Sequence, residues 1–334
     1  MDDIASTKSP VEAAARTVGI DTTDALKLLA DETRLAILLA LWEEHEPHAD
    51  DAVPFSQLFE RVDYDNRGNF SYHLEKLEGR FVTQHTERGG YELRMSGLKF
   101  VRSLIAGTGL DDISVTDAEI GEPCPICEAP TAVNYHDGVV LWTCTQCDGV
   151  APDVSEWGTL KDHMNGVLGF AQFEPAGVAG RTPAELRAAS AVAEHQRARS
   201  MFDGLCPTCS GRVDGRLEYC RDHDSSGVCD ICGWMLRLFA QFQCRTCEEY
   251  VDIDTKQLAL LHPAVVAFYE NYGISTRFHA DDPESARRLF DLMTDHEEEL
   301  VSDDPLRIAV KVAVDDDIVS VTFDETASIV DVRR

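Results

Sequence analysis

Cysteine spacing constrains this chain more than any other feature. All eleven cysteines fall in CxxC or CxxH pairs. The run from Cys206 to Cys247 reads CPTC, ten residues, CRDH, five residues, CDIC, eleven residues, CRTC. Upstream, CPIC (Cys124, Cys127) is followed after sixteen residues by CTQC (Cys144, Cys147). Two thiolates two residues apart on a tight turn can face one ion, and a second such turn completes a tetrahedron. Three four-coordinate sites need twelve ligands, and His223, the last residue of CRDH, adds the twelfth to the eleven cysteines. The expected cofactor is therefore Zn2+, three per chain. One site takes Cys124, Cys127, Cys144 and Cys147. The other two divide Cys206, Cys209, Cys220, His223, Cys229, Cys232, Cys244 and Cys247 between them. Loop-closure entropy favours successive ribbons, 206/209 with 220/223 and 229/232 with 244/247. A cross-brace, 206/209 with 229/232 and 220/223 with 244/247, is the other arrangement.

Disulfides are the competing use of so many cysteines. Met1 to Pro10 lacks the apolar stretch of a secretory leader, and paired CxxC turns suit zinc better than disulfide geometry. Hairpins that would bring the turns together are visible. Ala132 to Tyr135 and Val139 to Trp142 flank Asp137-Gly138, a strong turn signal. Val213-Asp214-Gly215-Arg216-Leu217 reads as a second such hairpin. Trp234 to Phe242 is a longer apolar run without a turn.

The balance of 60 acidic against 30 basic residues gives a net charge of -30. That charge repels nucleic acid and anionic membranes at ordinary salt. It is also the composition of proteins that stay soluble in molar salt, so a halophile's cytoplasm is expected. No run of 18 apolar residues is present, so no membrane helix is expected.

Residues 1–22 read as a polar tail. Asp24 to His45 carries Leu26, Leu29, Ala30, Ile37, Leu38 and Leu41 at helical spacing. Pro54 to Val62 is a second helix. Asn69 to Leu77 is a third, with Phe70, Leu74 and Leu77 on one stripe. Phe81 to Gln84 and Tyr91 to Met95 read as two strands around Arg88-Gly89-Gly90, and Gly97 to Ile105 closes the domain as a helix. Three helices, a two-stranded wing and a helix make a winged helix-turn-helix over residues 23–107.

DALKLLADETRLAILLAL (Asp24 to Leu41) resembles the opening helices of ArsR-type winged-helix regulators, with their LADxTRLxIL signature. RGNFSYHLEKLE (Arg67 to Glu78) is similar to their recognition helix. The whole chain resembles winged-helix proteins of salt-loving archaea that carry cysteine-pair modules behind the DNA-binding domain. The resemblance implies a transcriptional regulator that binds double-stranded DNA. No cysteine lies between Met1 and Cys124, so a thiolate sensor site within these helices is excluded.

Charge agrees with that implication. Asp24 to Glu60 holds two basic and nine acidic residues, whereas Arg61 to Arg102 holds eight basic and six acidic ones. The DNA-contact candidates lie in the second stretch. Ser71 and Tyr72 suit base edges, and Arg67 and Lys76 suit phosphates or guanine. Asn69 also lies off the apolar stripe. His73 either joins that face or packs against helix two. Arg88 is either a minor-groove finger or a solvated turn residue.

Residues 108–122 read as a linker and 123–180 as the first ribbon with a docked segment containing Trp157, Leu168, Phe170 and Phe173. A helix over 181–203, opened by Thr182, Pro183 and Glu185, reads as a solvated connector. His163 and His195 have no ligand partner at useful spacing. A double zinc module follows over 204–250. Residues 251–334 read as an α+β domain: a helix from His262 to Tyr272, another from Pro283 to Met293, then three antiparallel strands. No phosphate loop, nucleophile elbow or catalytic carboxylate pair stands out.

The expected fold class is thus multidomain α+β: a winged helix-turn-helix, zinc-ribbon-like modules and a small antiparallel sheet domain. The expected function is transcription regulation by a non-enzyme, acting as a homodimer without membrane contact, with an unidentified protein or small-molecule effector. A zinc-stabilised adaptor whose winged helix does not bind DNA is the alternative.

Overall fold

The fold is that of a computed structural model, which describes residues 27–47, 52–85, 89–107, 113–150, 160, 163–224, 229–294 and 296–334. The chain divides into two compact units, one up to Gly109 and one from Leu110.

The first unit contains α1 (Glu32–Glu43), α2 (Phe55–Arg61), α3 (Arg67–Leu77), the antiparallel pair β1 (Val82–Gln84) and β2 (Tyr91–Leu93), and α4 (Met95–Ala106). The single helix expected from Asp24 is broken. Residues 27–29 are helical, then Asp31 turns extended, and its carboxylate accepts from the Arg34 amide as the N-cap of α1. A capping carboxylate offers the orphan amides of a new helix a partner that helix continuation would not need. The third helix starts at Arg67, two residues earlier than expected, because Asn66 caps the amides of Gly68 and Asn69. Ile37, Leu38, Leu41, Leu58, Phe70, Leu74, Leu77, Val82 and Val101 form its core. Val53 adds an unexpected bridge to the hairpin by exchanging backbone hydrogen bonds of 2.8 and 2.9 Å with Tyr91. Gly97 lets α4 approach closely, since a Cβ there would lie 2.4 Å from the Phe81 carbonyl oxygen.

The second unit holds three antiparallel sheets. The first runs β3 (Val115–Pro123), β4 (Pro130–His136), β5 (Val139–Cys144), β6 (Val167–Gln172). The expected Asp137-Gly138 turn is present, with φ of 48° and 76°. The expected linker, however, contains β3, whose exposed alternate residues hid its pairing with β4. After a short α5 (Pro175–Val178) comes α6 (Pro183–Phe202) with the expected capping box. This helix is no solvated connector. It packs on the first sheet and buries Leu186, Arg187, Ala188, Ala189, Val192, Ala198 and Met201. Arg187 is 8% exposed, and its guanidinium lies 4.2 Å from the Trp142 ring centre. Its small residues leave the weak amphipathic signal that a solvated helix also gives, so composition misled.

The second sheet runs β7 (Val213–Tyr219), β8 (Leu238–Cys244), β9 (Tyr250–Asp254). The expected turn at Asp214-Gly215 does not exist, because both residues lie inside β7. Gly215 is there for closeness: a Cβ would meet the Phe242 ring at 2.6 Å and the Thr326 carbonyl oxygen at 2.8 Å. Then follow α7 (Thr255–Leu260), which the sequence reading missed, α8 (Pro263–Asn271) and α9 (Pro283–Thr294).

The last sheet has four strands, not three: β10 (His296–Asp303), β11 (Leu306–Val314), β12 (Asp317–Asp324), β13 (Ile329–Arg333). HEEELVSD looks helical by propensity, yet β11 supplies a paired edge that overrides it. The module over 204–250 and the segment after it share one core, which runs from Met201 and Phe242 to Val310, Val321 and Phe323. No helix among the described residues is long and apolar enough to cross a membrane.

Candidate metal centres and nucleic-acid face

Four of the cysteine turns are copies of one backbone device. The amide of the first cysteine donates to the carbonyl five residues on: Cys124 to Ala129 at 2.8 Å, Cys206 to Gly211 at 3.0 Å, Cys229 to Trp234 at 3.0 Å, Cys244 to Glu249 at 2.8 Å. The residue after the second cysteine donates its amide back to the first cysteine's carbonyl, and it has positive φ: Glu128 63°, Ser210 60°, Gly233 73°, Glu248 62°. Three of these are not glycine, and each left-handed residue costs about 1–3 kcal/mol. Turns that bear that strain so uniformly aim both side chains at one point. Amides of Ile126, Ile231 and Thr246 also donate to the first sulfur at 3.4 Å each.

The turns bring the twelve residues into three groups, each with its ligand atoms within 4.8 Å of one another. They are Cys124, Cys127, Cys144 and Cys147; Cys206, Cys209, Cys244 and Cys247; and Cys220, His223, Cys229 and Cys232. Sulfur-sulfur distances are 3.7 Å (Cys124–Cys147), 3.5 Å (Cys127–Cys144), 3.6 Å (Cys206–Cys247) and 3.5 Å (Cys209–Cys244). Four sulfurs about 2.3 Å from a central ion would sit about 3.8 Å apart, so the donor set fits a tetrahedral metal. In the mixed group His223 turns Nδ1 to within 3.5 Å of Cys232 Sγ. Its Nε2–H donates to the Met235 carbonyl at 3.1 Å, fixing the tautomer that leaves Nδ1 free to ligate.

Electrostatics prepares one thiolate per group. Burial pushes Cys144 up, but the amides of Cys147 and Gln146 and the Cys127 thiol outweigh it and bring it down to about 6. Cys229 falls to about 6 under the amides of Asp224 and Cys232. Cys244 falls to about 6, chiefly through the Cys247 amide. Their neighbours Cys147 and Cys220 are pushed by burial to about 12 and about 11. A cation bound by such a group would displace protons from the second kind of thiol and find the first kind already ionised.

The pairing corrects both arrangements read from the sequence. The sites are nested. Residues 220/223 join 229/232 at one end of the β7–β8 pair, and 206/209 join 244/247 at the other. Register explains this. Seven residue pairs run from Val213–Cys244 to Tyr219–Leu238, and the Cys220 amide closes the ladder on the Arg237 carbonyl at 2.9 Å. Loops of 10 and 11 residues in the successive scheme differ from loops of 5 and 34 in the nested one by less than about 0.5 kcal/mol of closure entropy. Seven cross-strand pairs, at about 0.2–1 kcal/mol each, decide the matter instead.

Glu249, two residues past the last ligand, was hidden among the many acidic residues. Its carboxylate accepts from Thr208 Oγ1 at 2.9 Å and from Gln172 Nε2 at 3.4 Å, and it pairs with Arg197 of α6. It therefore ties both turns of the outer site to the buried helix.

On the first unit, Phe70, Leu74 and Leu77 of α3 face the core, and Asn69, Tyr72 and Lys76 are exposed on the other side. Tyr72 is 55% exposed, with the Lys76 ammonium 5.2 Å from its ring centre. Arg67 is the first residue of the helix and lies over Phe55 and Phe59, 5.0 and 5.8 Å from the ring centres. Ser71 is half-buried, its hydroxyl 3.4 Å from the Glu75 carboxylate. His73 is half-buried. It sits between the Asp31 carboxylate (3.3 Å) and the Tyr64 hydroxyl (3.5 Å), which makes it a brace for α1. Arg61, counted among the basic residues, is occupied by Glu43 and Glu44. Arg88 and Trp157 lie outside the described residues. His163 stacks on His136 with centroids 3.7 Å apart, and His195 packs edge-on against Phe278, so neither approaches a metal group.

Two family models match the chain along the division seen in the fold. The model described as "Domain of unknown function (DUF7351)" matches residues 121–329, and "Domain of unknown function (DUF7347)" matches residues 22–104. No curated protein and no solved structure matches.

Proposed function

We propose that this chain, which belongs to the DUF7351 family through residues 121–329, is a DNA-binding transcriptional regulator whose first unit is a winged helix-turn-helix of the ArsR kind. The observation that carries the reading is the outer face of α3. In a chain of net charge -30, that face presents Asn69, Tyr72 and Lys76 to solvent opposite a complete core stripe. An aromatic hydroxyl beside an ammonium suits a base edge next to a phosphate. In such a domain the β1–β2 pair would serve as the wing and the Val53 bridge as its base.

Zinc is the metal the second unit suits. Two sites offer four sulfurs and one offers three sulfurs and an imidazole, all at tetrahedral separations, as structural zinc sites do. With every position filled by protein, zinc bound there orders the sheets and leaves no open position for substrate. The zinc units therefore act as scaffold, and reading of the operator falls to α3.

Selection from a pool of random duplexes by the full chain tests the proposal. A recurring sequence is expected in the retained pool. A pool that stays random, at both low and molar salt, would instead favour the adaptor role.

A further inference from the structure

An edge strand exposes a row of unpaired amides and carbonyls, and proteins guard such edges with charge, bulges or brevity. The last sheet has two edges, and they differ. β10 carries Glu297, Glu299 and Asp303, with an irregularity between Leu300 and Ser302. Two copies of that strand would set carboxylates against carboxylates. β13, Ile329–Arg333, carries one charge of each sign, Asp331 and Arg333, instead of a row of carboxylates, its register shift lies before Asp331, and its Val330 and Val332 are 46% and 38% exposed. Val332 lies opposite Val321, which is fully buried, so the apolar inner face of the sheet continues to the open edge.

We propose that β13 pairs antiparallel with β13 of a second copy of this chain, about a two-fold axis at Val332, joining two four-stranded sheets into one. The sequence IVDVR is self-complementary in this register alone. Centring on Asp331 would place the two Asp331 carboxylates directly opposite each other, which is unfavourable. Centring on Val332 places Val332 against its copy and Asp331 against Arg333 twice. Asp331 and Arg333 lie on one face of the strand, opposite Thr322 and Ser320, and they already pair within the strand at 2.6 Å. The contact is isologous and closes at two copies. At a charge of -30 per chain the partners repel each other in dilute buffer. At about 1 M salt, where the Debye length is about 3 Å, that long-range repulsion is screened. Association therefore strengthens from low to molar salt.

The test uses the full chain at about 1 M KCl. Facing residues of an antiparallel pair lie about 4.5–5.5 Å apart at Cα, within disulfide reach. Val332→Cys is expected to cross-link to its own copy on mild oxidation, with Val330→Cys and the unsubstituted chain as non-linking controls. Asp331→Arg sets arginines against arginines and is expected to raise the dimer dissociation constant about tenfold. Adding Arg333→Asp to it restores complementarity and dimerisation. All four side chains are at the sheet edge, and retained circular dichroism shows that the variants fold. No cross-link at Val332→Cys would overturn the proposal. So would equal linking at Val330→Cys, or a dissociation constant indifferent to the charge swap. Ladders of higher species through Leu300→Cys would show that β10 is the sticky edge instead.

Discussion

His223→Ala separates the nested metal sites from every other pairing. In the nested scheme the substitution opens only the group of Cys220, Cys229 and Cys232, because His223 Nδ1 sits 3.5 Å from Cys232 Sγ and its ring is held by Met235. Removing a partner that merely orients a ligand costs about 10–100-fold in affinity. Losing the ligand itself should weaken this site by at least about 100-fold, about 2.7 kcal/mol. The outer site and the first ribbon keep all four ligands. Core cysteines Cys206 and Cys244, 1% and 2% exposed, stay covered. The assay is brief alkylation of the zinc-loaded variant under a graded chelator, with modified cysteines mapped by mass spectrometry. Cys220, Cys229 and Cys232 should react first and together. Successive ribbons would free Cys206, Cys209 and Cys220 instead, and a cross-brace would free Cys220, Cys244 and Cys247. Either of those patterns refutes the nested geometry.

Other expectations follow from single contacts. Gly97→Ala should destabilise the first unit by about 1–3 kcal/mol despite alanine's helix preference, because its Cβ meets the Phe81 carbonyl oxygen at 2.4 Å. Gly68→Ala has only Asn66 Oδ1 at 3.4 Å and should stabilise by up to about 1 kcal/mol; thermal melts of both variants check the opposite signs. Burial, then Arg199, lowers His195 to about 4. Its contribution should be complete above the unfolded value of about 6.5 and be lost as pH falls towards the folded one. His195→Leu should therefore flatten the denaturation midpoint of the second unit across that window, and an unchanged slope would show His195 titrating normally. Lys76→Ala should weaken binding to all duplexes alike and reduce the salt slope by about 1.

The sequence carried the ligands clearly because metal chemistry fixes residue type and spacing locally. A CxxC pair is legible wherever it stands, and all twelve positions converge in three groups of four. The stripe of Phe70, Leu74 and Leu77 was legible for the same local reason. What failed depended on distant partners. Asp214-Gly215 reads as a turn until Phe242 and Thr326 are known to press on Gly215. The site pairing follows from the β7–β8 register, not from loop lengths. Arg187 looks like a solvated charge, yet Trp142 and Glu122 surround it after folding, and burial brings it down to about 10. His73 left two readings open, and its contact with Asp31, forty-two positions earlier, was in neither.

The most direct test of the central claim is the affinity of the full chain for its selected duplex and for a scrambled duplex, with and without Tyr72→Ala, across a salt series up to about 1 M, where the Debye length is about 3 Å. The proposed function, with few cations on the outer face of α3, predicts a shallow salt slope and discrimination carried by α3. Tyr72→Ala should lose about 1–3 kcal/mol of that discrimination while retaining its fold and metal. Equal affinity of the unsubstituted chain for both duplexes at every salt concentration would contradict the assignment of α3 as a reader of DNA.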